Sequence, residues 1–119
     1  SSEGDALDVL VMVTEPSFAG CVISVRPIGL LEMSDEAGND EKVLAVPVND
    51  PRFGEVADLG DLPPHLLKEI EYFFQVYKEL EGKETAVLGW YPVGRAHRAI
   101  ATAADAYQQE YHPPEEKKQ

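Results

Sequence analysis

Between two apolar runs, the stretch Ser34-Asp35-Glu36-Ala37-Gly38-Asn39-Asp40-Glu41-Lys42 crowds four carboxylates and one lysine into a single short segment. Like charges this close repel and raise one another's pKa unless they stand in water or share a cation. Carboxylate oxygens suit a hard divalent ion such as Mg²⁺ or Ca²⁺. A solvated acidic turn is the plain alternative for such a loop taken alone. A second acidic cluster, Glu3-Gly4-Asp5-Ala6-Leu7-Asp8, stands at the mouth of another apolar run and strengthens the metal reading. With Lys42, Tyr77 and Lys78 as donors, the set matches water attack at phosphorus. Several carboxylates hold Mg²⁺, an unshared one takes the proton of the water, and the cationic donors hold the departing phosphate. The sequence has no phosphate-cradling glycine loop and no nucleophilic triad pattern, which favours direct attack by water over a covalent intermediate.

Composition narrows the partners. At 119 residues the chain has the size of one domain that buries roughly 65% of its unfolded surface. The 22 Asp and Glu against 10 Lys and Arg give a formal net charge of −12. Nucleic acid and anionic membrane both call for a basic footprint, so neither is an expected partner. An OB-type single-strand binder, which uses a basic groove, is the least favoured reading. The lone Cys21 leaves no intramolecular disulfide, and its apolar neighbours predict a small buried side chain. No apolar run approaches the ~18 residues of a membrane span and no signal peptide is recognisable, so a cytoplasmic location is expected.

The elements that must position these residues follow from pattern. Leu7 to Val13 reads as a buried strand. Asp5 and Asp8 are three positions apart and would face opposite ways on an ideal strand, so the chain before Asp8 must turn, which Gly4 allows. Cys21 to Met33 reads as a long strand bent near Pro27-Gly29, as in a small closed barrel, with Arg26 and Glu32 at polar positions. Val43 to Val48 resumes as a strand, which places the acidic segment as a loop at a barrel rim. Asn49-Asp50-Pro51-Arg52 is a turn, and the chain to Leu62 is irregular.

Asp61 followed by Pro63-Pro64 predicts a capped helix start. Leu66, Ile70, Phe73, Tyr77 and Leu80 then form an apolar stripe, widened by Leu67 and Phe74, and Gly82 stops the helix. This stripe places Tyr77 on the buried-facing side with Lys78 at its edge, although core packing for Tyr77 and a solvated surface for Lys78 are the plain readings. Thr85 to Trp90 is a last strand, Arg95 to about Tyr111 a second helix, and His65, His97 and His112 read as surface residues without metal-ligand spacing. Residues 1–112 are expected to form the domain and 113–119 a charged, disordered tail. The abrupt acidic opening suggests a chain that begins inside a larger fold.

These residues together resemble the soluble family I inorganic pyrophosphatases, most closely the bacterial type. Glu3-Gly4-Asp5-Ala6-Leu7-Asp8 occupies the family signature Asp-Gly-Asp-Pro-Leu-Asp, with Glu3 in place of an aspartate and Ala6 in place of a proline. The resemblance continues through Pro27-Ile28-Gly29, Asp35 to Lys42, Ala45-Val46-Pro47-Val48-Asn49-Asp50-Pro51, Phe73-Phe74, Tyr77-Lys78 and Gly89-Trp90. It implies an α+β, mainly β fold: an OB-like small barrel with two flanking C-terminal helices, incomplete here because the family's N-terminal part has no counterpart. It implies that Asp5 is the general base, that Glu3, Asp8, Asp35 and Asp40 are Mg²⁺ ligands, and that Lys42, Tyr77 and Lys78 bind pyrophosphate. The implied reaction is Mg²⁺-dependent hydrolysis of pyrophosphate to two phosphates, in a homo-oligomer that is hexameric in bacterial members. A shortened, non-catalytic relative that keeps the metal-binding or assembly role is the alternative.

Overall fold

The computed structural model describes residues 7–13 and 20–111, and in the last two of these, Glu110 and Tyr111, the backbone only. The order of elements is β1 (Asp8–Val11), β2 (Val25–Asp35), β3 (Gly38–Pro47), two single 3₁₀ turns (Pro51–Phe53 and Leu59–Asp61), α1 (Pro64–Leu80), β4 (Thr85–Pro92) and α2 (Val93–Tyr111). The strands form one sheet in the order β1-β3-β2-β4. β1 runs parallel to β3, and the other pairings are antiparallel. Among the described residues the sheet is open, with β1 and β4 as its edges.

The acidic segment is not the loop expected from its charge density. Ser34 and Asp35 continue β2, residues 38–42 already belong to β3, and only Glu36-Ala37 turn. The Asp35 carboxylate accepts the Ala37 N–H at 2.8 Å, and Gly38 takes φ +124°, a conformation open to glycine. Strand alternation then sorts the charges by face. Asp40 and Lys42 fall on the face that carries Leu44 and Val46, whereas Asn39 and Glu41 fall on the opposite one.

A register shift between Pro27 and Gly29 makes Ile28 the extra residue of a bulge, as the Pro-Gly signal predicts. Ile28 is fully buried in a core with Leu44, Val46, Val56 and Leu62, against which Leu66, Leu67 and Ile70 of α1 pack. A fully buried side chain such as Ile28 or Leu44 contributes about 1.5–3 kcal/mol. Gly29 is required by close approach: a Cβ there would collide with the Leu59 side chain. Across the sheet, Leu30 and Val43 pack with Ala96 of α2. The strand itself starts at Val25, later than the expected Cys21, and Cys21 is exposed, contrary to expectation. Its apolar neighbours do not bury it, because Val22 and Ile23 are exposed as well.

The segment between β3 and α1 is irregular yet tied down. Arg26 donates to the Phe53 and Val56 carbonyls, each at 2.9 Å from one guanidinium nitrogen. Asp61 does not cap α1. Its carboxylate accepts the N–H groups of Ala57 and Asp58, at 2.9 and 3.1 Å, and so closes a capping box with Asp58 around the 3₁₀ turn. α1 starts instead on Pro63-Pro64 with no side-chain cap. Its end matches expectation: Gly82 has φ +77°, Gly82 N–H donates to Glu79 and Lys83 N–H to Lys78, the paired bonds of a Schellman stop. Trp90 Nε1–H donates to Glu71 at 2.7 Å and fixes α1 across β4. No helix among the described residues is long and apolar enough to cross a membrane.

Candidate functional site

The sheet face toward α1 collects the charged residues that strand alternation sends there. Lys42 is the centre. Its side chain is only 6% exposed, and its Nζ lies 3.0 Å from Asp8 Oδ2 and 2.9 Å from Asp40 Oδ2. Asp8 reaches it because β1 pairs in parallel with β3 so that Asp8 is directly opposite Lys42. The Phe74 ring of α1 covers the ammonium at 5.0 Å from its centroid, a cation–π contact. Burial by itself would lower the pKa of Lys42. Hydrogen bonds that the ammonium donates to Asp40 and Asp8, with the attraction of their charges, outweigh that and raise it above its usual 10.5. The ammonium is therefore charged across the neutral range.

Lys78 comes to the same carboxylate from α1, with Nζ 3.8 Å from Asp40 Oδ2 and its side chain mostly covered. The reading of Lys78 as a solvated helix lysine is thus corrected. Tyr77, Lys78, Lys42, Phe74 and Asp8 line one cleft of about 460 Å³ between β1 and the C-terminal half of α1. Tyr77 is not core. It is 48% exposed, stacked on Phe73 with ring centroids 6.2 Å apart. The helical period placed it correctly on the stripe, but β1 is too short to cover that part of the stripe.

Asp35 stands at the hairpin end of the same strand pair, its carboxylate engaged with the turn. Glu3 and Asp5 lie outside the described residues. Among the described residues no group of three His, Cys, Asp or Glu side chains is placed to hold a metal ion. Asp8 and Asp40 nevertheless flank one position of cationic size, occupied by the Lys42 ammonium, and their hard oxygens are donors of the kind Mg²⁺ takes. Glu41, equally acidic in sequence, is on the other side of the sheet, paired with Arg95 at 3.0 Å. Phe74 over Lys42 is a site contact that the charge pattern does not announce; its signal is the aromatic one turn before Lys78.

Fold and site together define an α+β protein in which an open sheet and a flanking helix hold a cleft of paired carboxylates and lysines. A family profile described as inorganic pyrophosphatase matches residues 1–108. The chain belongs to this inorganic pyrophosphatase family. It is 47% identical over 105 residues to the inorganic pyrophosphatase of Methanosarcina mazei, covering 88% of this chain and 62% of that protein. It is 53% identical over 88 residues to that of Geobacillus stearothermophilus, covering 74% and 53%. Among solved structures, the inorganic pyrophosphatase of Helicobacter pylori superimposes with a TM-score of 0.84 at 40% identity, over 90% of this chain and 65% of that one. That of Thermus thermophilus superimposes at 0.80 and 40%, over 89% and 63%. The open sheet with two helices is accordingly an incomplete OB-like barrel. The chain spans about 62% of the length of the Methanosarcina relative.

Proposed function

We propose that this protein takes part in Mg²⁺-dependent hydrolysis of inorganic pyrophosphate to two phosphates. The observation that carries this reading is the cleft in which Lys42, Tyr77 and Lys78 meet Asp8, in a chain of this family. In the reading, Asp5 takes a proton from the water whose oxygen forms the new bond to phosphorus, while the bridging P–O bond breaks toward the second phosphate. Lys42, Tyr77 and Lys78 hold phosphate oxygens and balance the charge that collects on the leaving group. Asp8, Asp35 and Asp40, with Glu3, hold Mg²⁺. When bound, the metal neutralises phosphate charge and lowers the pKa of the attacking water. Lys42 keeps Asp8 and Asp40 aimed at one point, which supports the same donor set.

The same reading makes the protein cytoplasmic and a homo-oligomer, hexameric as in bacterial members. Support for association comes from β1, an edge strand among the described residues, and from the exposed Leu80 at the end of α1, outside the cleft. The second reading is a non-catalytic relative that retains metal binding.

Phosphate release from pyrophosphate with Mg²⁺, measured for the 119-residue chain and for Asp5→Asn, separates the two. The hydrolase reading expects a turnover at least about 10²-fold lower in the variant, the scale of a general-base contribution, with Mg²⁺ binding largely kept. An unchanged rate takes Asp5 out of the base role. A folded wild-type chain that binds Mg²⁺ without turnover is a fragment of a longer hydrolase or the non-catalytic relative.

A further inference from the structure

The cleft contains a third lysine that none of the preceding roles uses. Lys83 lines the same 460 Å³ space as Lys42 and Lys78, on the side of the Gly82 turn. Its place is fixed by backbone geometry: Gly82 at φ +77° reverses the chain, and Lys83 N–H donates to the Lys78 carbonyl at 3.0 Å. That bond holds Lys83 against the last turn of α1, next to Lys78. The other two lysines are committed to carboxylates. Lys42 is pinned by Asp8 and Asp40, and Lys78 faces Asp40. Lys83 is exposed, and among the described residues no carboxylate lies within 4.0 Å of its ammonium.

An approaching polyanion meets these cations under different conditions. At Lys42 and Lys78 it must compete with aspartates already in contact; at Lys83 it meets a charge that no described carboxylate pairs. In a chain of net charge −12, most of the surface repels such a ligand, so an exposed cation on the cleft lining, unpaired among the described residues, carries weight in capture and in the affinity that follows. We propose that Lys83 is a further substrate-binding residue: the entrance cation that captures a diphosphate and holds its outer phosphoryl oxygens. This rests on the pyrophosphate reading of the cleft.

The test is equilibrium binding of methylenediphosphonate, a diphosphate that cannot be hydrolysed, in the presence of Mg²⁺, by calorimetry. Wild type is compared with Lys83→Ala, Lys83→Arg and Lys68→Ala, the last removing the same charge from an exposed position of α1 outside the cleft. The expected result is roughly a 5- to 10-fold weaker complex for Lys83→Ala, as befits one exposed charge-assisted contact. Lys83→Arg and Lys68→Ala should stay within about 2-fold of wild type, and the Lys83→Ala loss should shrink at high salt. Wild type and Lys83→Ala binding equally tightly overturns the assignment and leaves the substrate reading standing, and so does an equal loss in Lys68→Ala, which makes the effect one of net charge. Wild type that folds, by circular dichroism, and binds no diphosphonate overturns both.

Discussion

α1 presents one apolar stripe, yet its two halves have different fates. In the N-terminal half, Leu66, Leu67 and Ile70 pack on the Ile28, Leu44 and Val46 core. In the C-terminal half, Phe73, Tyr77 and Leu80 are 59%, 48% and 82% exposed. The difference lies in what stands opposite. The first half packs on the β2–β3 core, with Leu10, Met12 and the 3₁₀ segment that Arg26 clamps around it. The second half has the start of β1, a four-residue edge strand, across the cleft from it. Helical period decides which side chains share a face, while burial depends on the area of the neighbour. One amphipathic pattern therefore makes core at one end of the helix and a cleft wall at the other.

That contrast can be broken or sharpened by experiment. The largest effect belongs to the packed half. Leu44→Ala, in the cluster that Leu66 and Ile70 pack against, should lower stability by about 2–5 kcal/mol in urea unfolding, because the Leu44 side chain is fully buried; a loss below about 1 kcal/mol would mean the core relaxes and the halves are alike.

An intermediate effect concerns the 3₁₀ turn that braces this half. The N–H groups of Ala57 and Asp58 hold the Asp61 carboxyl below its usual 3.8. A depressed folded pKa contributes stability that is present above 3.8 and is lost as pH falls through the lower folded value. Wild type should thus lose more stability than Asp61→Asn between about pH 4 and 2, and parallel curves would show that the turn is not braced by this charge.

The smallest folding effect belongs to the bare half. Leu80→Ser should change stability by less than about 0.5 kcal/mol in dilute protein. By light scattering the variant should also form smaller assemblies than wild type, since Leu80 lies in the surface proposed to associate. Wild type that is already a clean monomer removes a second copy as the cover of this face.

Much of the architecture was legible in local pattern. The Pro27-Gly29 bend, the Gly82 stop, the period of α1 and the order of strands and helices all rest on short-range rules that few tertiary contacts override. The site was legible only as an inventory. Asp8, Asp40, Lys42 and Lys78 could be named, but charge density suggested a loop where alternation builds a strand. Asp61 shows the same limit, since a capping residue two positions before a proline pair serves whichever turn its backbone reaches first. Cys21 shows it for burial: apolar neighbours predict an interior only if something packs against them.

The sequence by itself determined the periods and the residue types, and hence which side chains could share a face and which chemistry they could support. It determined membership of the pyrophosphatase family as well, because the acidic and basic motifs keep their spacing. Only the tertiary structure decided that Asp8 is brought beside Lys42, 34 positions away, that Glu41 is spent on Arg95 across the sheet, and that Tyr77 lines a cleft. The physical reason is that strand pairing and the extent of the opposing surface are long-range properties. No local period encodes them.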